Sequence, residues 1–215
     1  MIIALVNNKG GVGKTTLTVH LAALAHERGR SVAVIDADAY SCASSEWIQE
    51  LGSPMPVHVM GTPDEVLDRA MDVAGTAELT VADGPAAISE VTRALLMVAD
   101  LALLPCGPSA LDLRRVHDAL RVVRQAQRIR GKGAPRALLV PNKLQAGYRL
   151  SKELLDATEG LGIPRVDGLR LRQAYADAAG QGSLVWRIGR SGEEAAVEFE
   201  KLYDDIRQYE TQGTL

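Results

Sequence analysis

Apolar residues along this chain fall into two alternating rhythms. Continuous runs at residues 2–6, 31–35, 79–83, 99–105 and 137–140 have the length and branched aliphatic content of strands buried on both faces. Shorter stretches at 57–60 and 165–169 predict two minor strands. Between the runs the apolar positions step at helical spacing, first in Leu17, Val19, Leu21, Ala22 and Leu24. Further helices are predicted from Ser41 to near Gly52, from a Thr62-Pro63 start, after Ser109, from Leu150 to Leu161 and from Glu193 to Tyr209. In the last of these, Val197, Leu202, Tyr203 and Ile206 are expected on one side. Apolar strands alternating with helices are the pattern of an α/β fold, a mostly parallel sheet covered by helices on both faces.

Composition narrows this picture. With 215 residues and 47% hydrophobic content, the chain can bury a sizeable core, and a single domain over 1–215 is expected. A formal net charge of −3 argues against a surface that coats nucleic acid throughout, while leaving room for a local basic patch. Cys42 and Cys106 lie far apart without metal-ligand spacing, which suits small packing residues in a reduced, cytoplasmic chain. No stretch reaches the roughly 18 uninterrupted apolar residues of a membrane span. The opening apolar run passes straight into a glycine-rich turn, so no signal peptide is expected.

That turn carries the main chemical signal. Asn8-Lys9-Gly10-Gly11-Val12-Gly13-Lys14-Thr15-Thr16 stands between a predicted strand and a predicted helix. Glycines let the backbone approach an anion closely, and the N–H groups at the start of the helix point at it. Lys14 is placed to reach the β/γ-phosphates of a nucleotide, and the Thr15 hydroxyl to hold Mg²⁺. The usual GxxxxGK[ST] pattern has glycine where this chain has Asn8. Two later strands end in carboxylates, Asp36-Ala37-Asp38 and Asp83-Gly84-Pro85, at the sheet edge where such folds bind ligands.

The segment from Lys9 to Thr16 resembles the deviant Walker A of the ParA/MinD family of ATPases, and the resemblance runs from Ile2 to about Ile206. It implies a P-loop NTPase fold that binds ATP and Mg²⁺ and hydrolyses ATP. Gly10, Gly11, Val12, Gly13, Lys14, Thr15 and Thr16 would cradle the phosphates, and Lys9 would reach the partner's phosphates across an ATP-dependent homodimer. Asp38 would orient the attacking water, with Lys9 and Lys14 as its catalytic companions. Thr15, Asp36 and Asp83 would serve the Mg²⁺, and the Gly84 N–H would sense the γ-phosphate. Asn142, closing the strand at 137–140, would meet the adenine edge, for which an amide has both donor and acceptor. Ala39-Tyr40 stands where the family usually has Pro-Gln.

Two basic regions bear on partners. After Ser109, the arginines 114, 115, 121, 124, 128, 130 and 136, with Lys132, face only Asp112 and Asp118 as local acids. This is either a solvated helix face or part of a DNA- or partner-binding surface. By resemblance, Arg170, Arg172, Arg187 and Arg190 are candidate contacts to non-specific DNA. The reading is a ParA-like ATPase, cytoplasmic and nucleoid-associated, that positions a plasmid, chromosome region or protein cargo and is stimulated by a ParB-like cargo protein. The alternatives are a MinD-like membrane-positioning ATPase and a metabolic P-loop enzyme such as a dethiobiotin synthetase-like ligase. The tail at 193–209 is acidic and lacks the lysine-rich amphipathic character of a lipid-binding helix, so no membrane partner is expected.

Overall fold

The computed structural model describes residues 1–131 and 133–211; Lys132, counted above with the basic helix, lies outside the described residues. Six parallel strands form one sheet: β1 (Ile2–Leu5), β2 (Val32–Asp36), β3 (Val57–Val59), β4 (Leu79–Asp83), β5 (Leu101–Cys106) and β6 (Arg136–Pro141). Their order is β3-β2-β4-β1-β5-β6, which puts β1 at the centre. Alternation along β1 divides the core. Ile2, Ala4 and Val6 face one hydrophobic cluster, while Ile3 and Leu5 face the other.

Helices cover both faces. The first cluster is closed by α3 (Pro63–Gly75), α4 (Glu90–Val98), α5 (Ala110–Arg130) and α6 (Arg149–Thr158). The second lies under α1 (Lys14–Glu27), α2 (Ala43–Glu50) and the C-terminal helix α8 (Glu193–Thr211), with α7 (Gln173–Gly180) at its edge. α1 is buried continuously from Leu17 to Ala25, because it lies between the sheet on one side and α2 and α8 on the other. The Thr62-Pro63 start is realised as a capping box, Thr62 accepting from the Glu65 N–H and Glu65 returning the bond.

Two expectations need correction. Residues 165–169 make no regular strand: only the isolated bridges Leu139–Arg165 and Leu144–Arg170 form. Gly168, at φ +87°, kinks the segment between them, and a Cβ there would lie 2.2 Å from the Pro141 carbonyl oxygen. On α8, Val197 is exposed, and the buried side is Ala195, Phe199, Leu202, Tyr203 and Ile206. Their spacing follows the helical repeat, whereas Val197 is two residues from Phe199 and so points away. Among the described residues, no helix is long and apolar enough to cross a membrane.

Candidate nucleotide-binding site

Between β1 and α1 the chain turns through Gly11 at φ +72° and Gly13 at φ +98°. A Cβ on Gly13 would lie 2.4 Å from Asn142 Nδ2, so conformation and space both require glycine there. Gly13 is also the N-cap of α1, where no side chain caps the helix and no acid occupies the first turn. The first N–H groups of α1 are therefore left for an anion.

Side chains from distant elements fix the loop. Asn8 Oδ1 accepts from the Ile88 N–H at 3.2 Å, tying the loop to the segment after β4. Asn7 Nδ2 donates to the Pro105 carbonyl at 2.5 Å. Asn142 Nδ2 donates to the Val12 carbonyl at 2.7 Å, and Lys143 Nζ to that of Gly11 at 2.6 Å. Each Asn142 amide atom retains further hydrogen-bonding capacity, because one N–H goes to Val12 and one oxygen lone pair to the Lys143 N–H.

The carboxylates divide the work. Asp36 and Asp83 stand in register on adjacent strands. Asp36 is buried and accepts two backbone N–H bonds, from Asp38 at 3.1 Å and Ser45 at 2.9 Å. It thereby holds the turn after β2 and the start of α2. Asp38 is half-buried and lines the cavity. Asp83 Oδ2 accepts from the Thr15 hydroxyl at 2.6 Å, while its buried Oδ1 has no partner. Burial pushes the Asp83 carboxyl up to about 7; Asp36 and Asp38 add to the rise, and the Thr15 hydroxyl and Lys14 oppose it. An unpartnered buried carboxylate oxygen beside a hydroxyl is an all-oxygen donor set that suits Mg²⁺. Lys14, itself buried, donates from Nζ to the Lys9 carbonyl at 3.1 Å. Burial lowers its pKa, and Asp83 and Asp38 work in the opposite direction.

These groups open on a cavity of about 400 Å³. Its floor is the phosphate loop with Asp38, Gly84 and Asn142, and its far wall is Leu169–Arg172 with Tyr175, Ala176 and Ala179. A volume of this order accommodates a nucleotide-sized ligand. A larger groove of about 620 Å³, between residues 144–152 and α8, shares only Arg170 with it and contains none of the phosphate loop.

Several predicted residues lie elsewhere or are otherwise engaged. The Gly84 N–H is not free, because it donates to the Leu5 carbonyl at 3.1 Å; a Cβ on Gly84 would lie 2.5 Å from that same oxygen. Lys9 does not line its own cavity. It is 41% exposed and pairs with Asp112 at 2.7 Å, at the start of α5. Tyr40 stands fully exposed at the tip of the turn after Asp38. Arg170 and Arg172 both pair with Glu198, Arg172 also with Glu194, and Arg187 with Glu27. Arg190 is exposed on the turn before α8. Lys143 was not anticipated: it follows Asn142 in sequence, but its contact with the loop joins residues 132 apart.

A glycine-rich loop at the central strand, a lysine and threonine opening the following helix and two strand-end carboxylates beside them define a P-loop nucleotide-binding protein. Residues 3–185 match the CobQ/CobB/MinD/ParA nucleotide binding domain, and the chain belongs to that family, among its ParA/MinD-type ATPases. The chain is 28% identical over 210 residues to the maintenance of carboxysome distribution protein A of Halothiobacillus neapolitanus, covering 95% of each. It is 30% identical over 217 residues to the protein of the same name from Gloeobacter kilaueensis, covering 95% of this chain and 93% of the relative. Among solved structures, Cyanothece McdA without nucleotide superposes with a TM-score of 0.77 at 14% identity, over 96% of this chain and 98% of that one. Pyrococcus horikoshii MinD with Mg-ADP gives 0.75 at 17% identity, over 99% and 98%. At these identities the two structures establish the shared fold.

Proposed function

We propose that this protein is a ParA-like positioning ATPase. In this reading ATP closes two copies face to face, the closed dimer holds non-specific DNA, and a cargo-borne partner of the ParB kind triggers hydrolysis. The two relatives named for carboxysome distribution favour a protein assembly as cargo over a plasmid. The observation that carries the reading is Lys9. The phosphate loop already has its own lysine, Lys14, inside the cavity, while Lys9 stands partly exposed outside it on the loop's rim. In this reading the second lysine, outside its own cavity and paired with Asp112, would leave that pair to serve the phosphates of a second copy.

The residues then take distinct tasks. Backbone N–H groups at the start of α1 and Lys14 bind the phosphates. Thr15 and Asp83 would hold Mg²⁺, which would supply positive charge beside the phosphates; Asp36 keeps the surrounding turn in place. Asp38 orients the water for in-line attack, and Lys9 of the partner copy offsets charge developing on the transferred group. Tyr175 and the Leu169–Leu171 wall face the base, with the remaining Asn142 amide capacity available to its edge.

The test is binding to a non-specific duplex without nucleotide, with ADP, with ATP and with a non-hydrolysable analogue, across a salt series. Binding confined to ATP and the analogue, and steeply weakened by salt, is expected. Absence of binding in every state would overturn the reading. Lys9→Ala and Asp38→Ala are expected to abolish stimulated hydrolysis while nucleotide binding persists.

A further inference from the structure

We propose that the DNA-contacting surface of this protein is an arginine stripe on α5, rather than the C-terminal arginines; the inference rests on the DNA-bound reading above. α5 buries Val116, Ala119, Leu120, Val123 and Ala126 against the sheet. On its opposite side Arg114, His117, Arg121, Arg124 and Arg128 are all exposed. Their spacing of three and four residues keeps them on one face, and from Arg114 to Arg128 they run for about 21 Å. That length matches about six phosphates of one DNA strand.

The charge on this face is largely available. Arg114 and Arg128 have no ion pair among the described residues. Arg121 shares Asp118 with Arg115 and is still 71% exposed. Arg124 spends one N–H on the Leu161 carbonyl, at 3.0 Å. Within the helix, six arginines stand against Asp112 and Asp118, and Asp112 is occupied by Lys9. By contrast, three of the four C-terminal candidates are matched to carboxylates of their own chain. Arg172 is 20% exposed and lies between the half-buried Glu198 and the exposed Glu194, so drawing it to a phosphate would break both pairs and leave Glu198 without its main partner.

The stripe's chemistry selects the ligand. Protein interfaces concentrate their energy in buried aromatic or aliphatic anchors. Between the arginines this face offers His117 and Gln125, and its exposed apolar residues, Leu111 and Ile129, lie at the two ends. A row of guanidinium groups without a central apolar anchor suits a regular polyanion, held by phosphate contacts that carry no sequence information.

The experiment compares the wild-type protein with Arg114→Gln/Arg121→Gln/Arg128→Gln and with Arg187→Gln/Arg190→Gln, using a labelled duplex and the non-hydrolysable ATP analogue. Nucleotide affinity and thermal melting check that each variant is folded. The triple variant is expected to reduce the slope of log K against log salt by nearly three for each stripe engaged, and to weaken binding roughly a hundredfold at 0.1 M salt. The double variant is expected to stay within about twofold of the wild type. An unchanged slope in the triple variant, or the main loss in the double variant, overturns the stripe while leaving the functional reading intact. Preferential wild-type binding to poly-glutamate would assign the stripe to an acidic protein and also overturn it. No duplex binding by the wild type in any nucleotide state removes the functional reading itself, and this inference with it.

Discussion

Acidification below neutrality is expected to remove one contribution to the stability of this protein, that of His20, while the raised Asp83 carboxyl works in the opposite direction. The His20 ring lies at the centre of an aromatic cluster, 5.3–5.6 Å from Phe199, Trp186, Trp47 and Tyr175. Nε2 accepts from the Val185 N–H at 3.2 Å, so the proton sits on Nδ1 and is shared with the Thr16 carbonyl at 2.8 Å. A second proton on Nε2 would cost the Val185 bond and place a charge in the core. Burial accordingly lowers the pKa from 6.5 to about 4, with the Thr16 bond as a smaller opposing effect. Because the folded value is depressed, the unfolded chain binds the extra proton first. The stabilisation is complete above the unfolded value and falls as pH drops from 6.5 toward 4. The total is about 3 kcal/mol, of which about 2 is lost by pH 5. Urea unfolding followed by tryptophan fluorescence at neutral pH and at pH 5 measures it. His20→Leu is expected to cost about 1–3 kcal/mol at neutral pH, since the Val185 N–H loses its partner, and to abolish this part of the acid loss. Surface carboxylates and the buried Asp83 titrate in both proteins, so the difference between them isolates His20. Equal acid loss in the two proteins would refute the argument.

Three further outcomes follow from the same geometry. Gly13→Ala is expected to eliminate nucleotide binding by calorimetry, because its Cβ would meet Asn142 Nδ2 at 2.4 Å with the backbone at φ +98°; wild-type affinity would show that the loop does not need this close approach. Asp112→Asn frees Lys9 while retaining an oxygen acceptor for the Ser109 hydroxyl; for a partly exposed pair worth about 1 kcal/mol or less, ATP-dependent dimerisation measured by sedimentation is expected to strengthen by up to about fivefold. Phe199→Ala, at a fully buried site between α8, His20 and Trp186, is expected to destabilise by about 3–5 kcal/mol in urea melts without altering the phosphate loop.

The parts of the fold legible in the sequence are those whose determinants are local. The β1–loop–α1 unit is written in consecutive residues, and so is the Thr62–Glu65 cap. The five main strands are continuous apolar runs because each is covered on both faces. The sheet edge follows from these, and with it the meeting of Asp36, Asp38 and Asp83 beside the loop. Sequence pattern fails where a side chain's partner is remote. Arg130 and Arg136 read as members of a basic helix face, yet Arg130 bonds the Leu96 and Ala99 carbonyls and Arg136 bonds those of Tyr209 and Glu210. Arg172 reads as a free cation, but Glu198 is 26 residues further on, one helix away.

The same distinction explains the candidate site. Residue type and strand-end position are enough to nominate Asn142, but not to show its amide bonded to Val12 across 130 residues. His20 gives no signal at all: in a helix buried on every side, a histidine among apolar residues has no periodicity to break. Charge count places positive potential on α5; only the three-dimensional pairing divides its arginines between those consumed by carbonyls and those left on the outer face. The division follows geometry, since Arg130 lies at the helix end near unsatisfied carbonyls while Arg114, Arg121 and Arg128 repeat every seven residues on the side opposite the core. What a charged residue does in this protein is therefore decided less by its neighbours in sequence than by which carbonyl or carboxylate the fold brings within reach.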